Sequence, residues 1–273
     1  MKVCFVTGSL ATGKTGVGDY SSLLAEACRG KGIACSTLGL HDPHVEGFVE
    51  DGDSLRLSPE LPWKERLRKA KTWLNQLDPS WMSLQFVPYA FHPRGLFRDF
   101  LHVFPQMLEK RKLQVMFHEI WIGEFPGAPW SQRACGILQK RLVRKLLKVT
   151  QPRLINHSCS GAEVRLNRAG IRSEHLPIFG NVPPIKRPKQ TRFLDLLGKV
   201  GLELSSEERS AWWILGFFGS IHEDWQVESS LAPILDAAEQ LGKKVIILSL
   251  GRLGKAKGKW KEISEHRKDK VHW

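Results

Sequence analysis

Two glycine patterns overlap near the start of the chain. Gly8-Ser9-Leu10-Ala11-Thr12-Gly13-Lys14-Thr15 fits the phosphate-loop spacing G-x-x-x-x-G-K-S/T, in which main-chain N–H groups surround phosphates and the lysine reaches them. Directly behind it, Gly16-Val17-Gly18-Asp19 is a second glycine pair followed by an acid. The first pattern implies a nucleoside-triphosphatase or kinase. The second implies a strand, a glycine-rich loop and a helix whose N-terminus faces an anionic group. Two glycines in a first helical turn would each cost about 1 kcal/mol relative to alanine. The helix is therefore expected to start at Asp19, a good N-cap or first-turn acid, with Lys14 left in the loop. A Walker-B strand, four apolar residues closed by Asp, is also missing: Leu113–Phe117 runs into His118-Glu119.

His118 and Glu119 form a second polar pair at a strand's carboxyl end. Gln85, Tyr89 and His92 follow another strand and could line a site, with core or surface equally open to them. Further along, His222, Glu223 and Asp224 follow a third strand, and Glu223 and Asp224 resemble a metal pair only if taken alone. The five cysteines are scattered without a C-x-x-C pair, which argues against zinc and against a disulfide framework and fits a reducing compartment. No metal site is expected.

The elements that must position these residues alternate. Apolar runs rich in β-branched and aromatic residues occur at Val3–Val6, Ile33–Leu38, Trp81–Val87, Leu113–Phe117 and Leu154–Ile155. Helical stripes lie between most of them: Leu23, Leu24, Ala27 and Cys28, then Leu67, Ala70, Leu74 and Leu77, then Leu138, Leu142, Leu146 and Val149. Continuous apolar strands mixed with amphipathic helices predict a parallel sheet covered on both faces. Ligands of such sheets bind beyond the strands' carboxyl ends. Residues 1–182 read as a first Rossmann-like domain. Residues 183–210, with the proline-rich stretch Phe179–Lys189 running into them, read as a linker. Residues 211–273 open a second domain, with strands at Trp212–Phe218 and Val245–Leu250 and a helix through Leu231, Ile234 and Ala238. Length and 42% hydrophobic content suit a globular chain with a sizeable core.

The formal net charge of +13 implies an acidic partner. No zinc finger, basic zipper or single-stranded-RNA signature accompanies it, so nucleic acid is not implied. The helical stretches "WKERLRKAKTWL" and "LQKRLVRKLLKV" combine cations with Trp or Leu. Such helices either lie peripherally on an anionic membrane or pack on the sheet with a solvated basic face. No apolar run approaches the roughly 20 residues that span a bilayer. The chain is expected to be cytoplasmic, with the inner face of a membrane as a place it could dock.

The order of several stretches resembles GT-B-fold glycosyltransferases of the family-4 (group 1) type: "GVGDYSSLLAEACRGKGI", "LQFVPYAFHPRGL", "VMFHEIWIG", "INHSCSGAEVRLNRAGI", "LPIFGNVP" and "FGSIHEDWQVE". The resemblance runs from Met1 to about Gly254. It implies an α/β, GT-B-like fold: a parallel-sheet Rossmann-like N-terminal domain on the acceptor side, plus an incomplete Rossmann-like domain on the donor side. It implies transfer of a sugar from a nucleotide-sugar, as co-substrate and with no resident cofactor, to a glycan or lipid-linked acceptor, with retention. By resemblance, His118 and Asp19 serve catalysis, His118 at the donor sugar and Asp19 near the acceptor or fixing the loop. Gly16, Gly18, Glu119, Gly219, Ser220 and Arg252 fall to donor binding. The chain departs from the family where an Arg and a Lys usually follow the second domain's first strand. Here the stretch is "GSIHEDWQVE", and Arg252 is the substitute at hand. The family's spaced glutamate pair is not reached before Trp273, so the chain is expected to be short or truncated. A non-catalytic sugar- or partner-binding remnant of the fold, and a phosphate-loop kinase, are the alternatives.

Overall fold

The computed structural model describes residues 1–182, 208–218 and 227–250, with isolated positions at 195, 197–199, 205 and 258. The chain divides into two compact units, Met1–Pro183 and Pro184–Trp273.

The first unit is built on an eight-stranded sheet. Its strands are β1 (Lys2–Thr7), β2 (Ala34–Gly39), β3 (Phe48–Asp51), β4 (Ser54–Leu57), β5 (Trp81–Phe86), β6 (Lys112–Phe117), β7 (Leu154–His157) and β8 (Glu174–His175). They lie in the order β3-β4-β2-β1-β5-β6-β7-β8. All neighbours are parallel except β3 and β4, a hairpin at one edge that the sequence pattern did not announce. The chain leaves β1 toward β2 and returns on the other side at β5. The strand order therefore reverses between β1 and β5, which is where such sheets open a crevice.

Side-chain alternation splits the unit into two layers. Cys4, Val6, Leu38, Met82, Leu84, Phe86, Val115 and Phe117 face a large core. That core is closed by α2 (Trp63–Leu77), α3 (Arg98–Val103), α4 (Pro105–Leu108), α5 (Trp130–Thr150) and α6 (Ser160–Arg168). Phe5 and Cys35 point the other way and pack on Ala25 of α1 (Gly16–Arg29).

Three expectations are corrected. The first helix does not begin at Asp19. It begins at Gly16, with Thr15 as N-cap accepting from the Gly18 N–H. The glycine penalty is accepted because a Cβ on Gly18 would sit 2.3 Å from the Ser9 carbonyl oxygen, so only glycine fits that approach. The buried face of α1 is Gly18, Tyr20, Ser21 and Ala25, while Leu23 is exposed. The buried face of α5 is Gly136, Gln139, Val143 and Leu146, which leaves Leu138 and Val149 outside. A Cβ on Gly136 would lie far inside van der Waals contact with the Ile122 carbonyl oxygen, so this turn is pressed against backbone rather than against apolar side chains.

The second unit contains one β-α-β step: β9 (Trp212–Phe218), α7 (Val227–Gln240) and β10 (Lys244–Leu250). The strands pair in parallel from Lys244 opposite Trp212 to Leu250 opposite Phe218. Leu231, Leu235, Ala238, Val245 and Ile247 form one core cluster there.

Candidate functional site

A pocket of about 450 Å3 opens at the reversal point between β1 and β5. Most of its walls come from a strand's carboxyl end or the loop after it: Thr7 and Ser9 from β1, His41 from β2, Tyr89 from β5 and Glu119 from β6. Gly16 and Val17, the first residues of α1, close one side. Their N–H groups are among those a helix cannot satisfy internally, and they carry the positive end of the helix dipole. Among the described residues that line it there is no Lys or Arg.

The glycine loop is fastened from beneath. The Asp42 carboxylate is fully buried and accepts from Ser9 Oγ (2.9 Å), the Leu10 N–H (3.0 Å), the His44 N–H (3.1 Å) and Arg56 Nε (2.7 Å). Burial alone would raise this carboxyl; the bonds from Arg56, Leu10, His44 and Ser9 outweigh it and hold it below its ordinary value. Asp19 accepts from the Gly13 N–H at 2.9 Å, tying the loop to the helix that follows. Thr15 Oγ1 accepts from the Gly18 N–H at 3.1 Å and donates toward the Ser9 carbonyl at 3.4 Å. Lys14 lies exposed just before this cap.

His41 is held by Arg66, which is buried in α2. One guanidinium nitrogen lies 3.0 Å from the Leu40 carbonyl oxygen and 3.0 Å from His41 Nδ1. Guanidinium only donates, so Nδ1 accepts and the ring proton sits on Nε2. Burial, then the Arg66 charge, lower the ring's pKa to about 4, and His41 is neutral at pH 7. Arg66 also stacks over Trp63, 3.7 Å from the ring centre. The cations of "WKERLRKAKTWL" are thus not all on a solvated face.

His118 follows β6. Its Nε2 lies 2.8 Å from Gln85 Oε1, and its ring meets Tyr20 edge-on, with 5.1 Å between centroids. Tyr20 in turn stacks on Phe179 at 4.6 Å. Burial lowers the His118 pKa to about 4. Glu119 stands open to solvent on the pocket wall. The protein crowded around it nonetheless desolvates the carboxyl enough to push it above the ordinary range. A carboxyl so placed is suited to take a proton from a bound hydroxyl.

The structure thus brings Gly16 and Glu119 into one pocket. Gly18 and Asp19 shape the loop without lining the pocket, and His118, next in sequence to the lining residue Glu119, packs on Tyr20 rather than entering the lining. Gly219, Ser220 and Arg252 lie outside the described residues, as do His222, Glu223 and Asp224. Of the residues after β5, Tyr89 lines the pocket, and its hydroxyl is 3.3 Å from Gln139 Nε2. Gln85 is buried beneath His118. His92 caps a turn, its Nδ1 accepting from the Arg94 and Leu96 N–H groups. Sequence reasoning passed over Ser9, His41, Asp42 and Arg66. The signal was a polar pair, His41-Asp42, two residues beyond a buried strand, the same placement that marked His118-Glu119. Among the described residues no group of three or more His, Cys, Asp or Glu side chains could hold a metal ion. No helix of the described residues is long and apolar enough to cross a membrane.

No protein-family model matches the chain, and neither does any curated protein sequence. Solved structures do. The catalytic domain of starch synthase IV from Arabidopsis thaliana, bound to ADP and acarbose, matches over 99% of this chain and 73% of its own, with TM-score 0.59 and 14% identity. Anabaena HepE in complex with UDP matches over 99% of this chain and 68% of its own, with TM-score 0.57 and 15% identity. A glycosyltransferase from Rickettsia africae matches over 99% and 66%, with TM-score 0.57 and 9% identity. The chain spans between 59 and 73% of the length of these and two further matched structures. At such identities the likeness establishes the fold: this is the mixed α/β, mostly parallel architecture of the GT-B glycosyltransferases.

Proposed function

We propose that this protein is a glycosyltransferase that moves a sugar from a nucleotide-sugar donor to a hydroxyl seated in the pocket at the β1–β5 reversal. The observation that carries the reading is that pocket. Helix N–H groups, the His41 Nε2–H donor and the Glu119 carboxylate converge there, in a fold otherwise seen around bound ADP and UDP. Glycosyl transfer must offset charge on a departing nucleoside diphosphate, and helix N-termini serve that purpose without moving. Glu119 accepts the proton of the acceptor hydroxyl. The donor is a co-substrate, and the reading calls for no resident cofactor or metal. Retention of configuration and the use of residues 1–182 for the acceptor, 183–210 as linker and 211–273 for the donor follow the family-4 resemblance.

The acceptor on this reading is a glycan or a lipid-linked sugar. The outer face of α5 supports the second. It exposes Arg133, Arg141, Arg144, Lys145 and Lys148 beside Trp130, Ile137 and Leu138, a composition suited to an anionic membrane surface.

The test is a mass-spectrometric screen of nucleotide-sugars against glycan and lipid-linked acceptors, using the full chain. Transfer that falls at least tenfold in Glu119→Gln supports the proposal. The stretch "GSIHEDWQVE", without the usual Arg and Lys, favours a second reading, a non-catalytic sugar-binding form of the fold. Acceptor binding by saturation-transfer NMR with no donor turnover would select that one.

A further inference from the structure

The inner strands of the sheet carry polar residues where a parallel sheet ordinarily carries Val, Ile or Leu. Ser83 and Gln85 on β5, Gln114 on β6 and Asn156 on β7 alternate with the large core's residues, so they share the sheet face that carries α1. Ser83, Gln85 and Asn156 are buried and Gln114 half-buried. Buried polar groups on this scale are costly unless every one is bonded.

They are bonded, in a single line with a direction. The line ends on the main-chain carbonyl of Glu174, which can only accept. Asn156 Nδ2 donates to it at 3.4 Å, so Asn156 Oδ1 faces the other way and accepts from Gln114 Nε2 at 2.9 Å. Gln114 therefore presents Oε1 to Ser83, whose hydroxyl donates to it. Ser83 Oγ accepts from Gln85 Nε2 at 2.7 Å. Gln85 is left with Oε1, an acceptor, 2.8 Å from His118 Nε2. The ring nitrogen at that contact must carry the proton. Reversing the line would set Asn156 Oδ1 against the Glu174 carbonyl, oxygen on oxygen.

We infer that Ser83, Gln85, Gln114 and Asn156 are positioning residues: the ladder they form holds His118 as the Nε2–H tautomer and leaves Nδ1 as a hydrogen-bond acceptor for a ligand hydroxyl. No described residue bonds to Nδ1. The tautomer follows from this geometry alone, and only the hydroxyl's belonging to a transferred or accepting sugar rests on the function proposed above. An apolar sheet would pack as well, and the ladder's termination on a half-exposed ring at the site's edge gives its polar residues a purpose.

The tautomer is read directly from two-bond 1H–15N correlation spectra of the full chain at neutral pH, with His118→Gln used to assign the His118 signals. Nε2 is expected at a pyrrole-type shift and Nδ1 at a pyridine-type shift. Ser83→Ala cuts the line and lets the Gln85 amide turn, so both tautomers should appear. Asn156→Asp keeps the direction, because the new side chain still accepts from Gln114 while its other oxygen, protonated or turned from the Glu174 carbonyl, cannot donate back along the line, and it should keep the single Nε2–H form; it also serves where Ser83→Ala does not fold. An Nδ1–H ring in the wild type, an unchanged single tautomer in folded Ser83→Ala, or mixed tautomers in Asn156→Asp would each overturn the inference. None of these spectra requires a substrate, so they stand apart from the transfer assay.

Discussion

Alanine at Gly18 and alanine at Gly16 should move stability in opposite directions, although the two positions share the first turn of α1. At Gly18 a Cβ would meet the Ser9 carbonyl oxygen at 2.3 Å and Thr15 Oγ1 at 2.5 Å. Ser9 cannot retreat, because its hydroxyl and the next residue's N–H are both held by the buried Asp42 carboxylate. Overpacking of this kind costs about 1–3 kcal/mol. Displacing Thr15 forfeits an N-cap worth about 1 kcal/mol. Against this, alanine gains about 1 kcal/mol of helix propensity over glycine. The net loss is about 1–3 kcal/mol, or several degrees of melting temperature for a unit of this size at roughly 2–4 °C per kcal/mol. At Gly16 the nearest atom to a Cβ is Asn181 Nδ2 at 3.9 Å, so the propensity gain stands alone and the variant should melt at or slightly above wild type. Thermal unfolding followed by far-ultraviolet circular dichroism reads both. Gly18→Ala melting at or above wild type would refute the claim that close approach, rather than backbone freedom, demands glycine there.

Gln139 is fully buried and ties Ile122 N–H, Tyr89 and the Arg94 carbonyl together, so Gln139→Leu should lose about 2–4 kcal/mol in urea unfolding; a loss under about 0.5 kcal/mol would show the bonds to be dispensable. His41 and His118 have folded pKa values of about 4 against an unfolded value of 6.5, so their neutral forms favour the fold. That stability is fully present above pH 6.5 and is lost as pH falls toward 4, by at most about 1.4 kcal/mol per ring per pH unit and less where the ring is open to water. The urea midpoint should drop between pH 7 and pH 5 and drop less in His41→Gln; identical slopes would contradict the assignment. The exposed cations of α5 predict co-sedimentation with phosphatidylglycerol vesicles at low salt. Raising the salt to about 0.5 M, where the Debye length is only a few ångströms, should release the protein, and Arg141→Glu with Lys145→Glu should weaken it at low salt. Binding indifferent to salt would refute an electrostatic dock.

The strands were legible because they are continuous apolar runs: six of the seven read from the sequence lie within one residue of their observed bounds, while β7 runs two residues past Ile155, through the polar Asn156 and His157. The hairpin of β3 and β4 was not. Its first strand is exposed throughout, and "FVED" carries too little apolar alternation to be told from a loop. The strand-end rule led to Glu119 and, through the glycine pair, to the first turn of α1, and both line the pocket. His41 escapes that rule because β2 delivers its polar pair just past Gly39, beyond the end of the apolar run.

The two misphased helices have one cause. Amphipathic periodicity assumes that what a helix buries is apolar, yet α1 buries Gly18 and Ser21, and α5 buries Gly136 and Gln139. In each, a glycine lets the helix press on a main-chain carbonyl, Ser9 for α1 and Ile122 for α5. In each, a neighbouring polar side chain bonds the main chain: Ser21 its own helix, Gln139 the loops that follow β5 and β6. The same substitution of polar for apolar recurs in the β5–β7 ladder. The first two lie by the loops after β1, β5 and β6, and the ladder, which crosses the sheet from Glu174, ends at the same place on Gln85 and His118. A core selected for stability alone would be filled with Leu and Val at those positions. Departures scattered over residues 18 to 156 that each end on a main-chain group or a ring beside these loops argue that backbone and ring orientation there, rather than packing, is what these side chains serve.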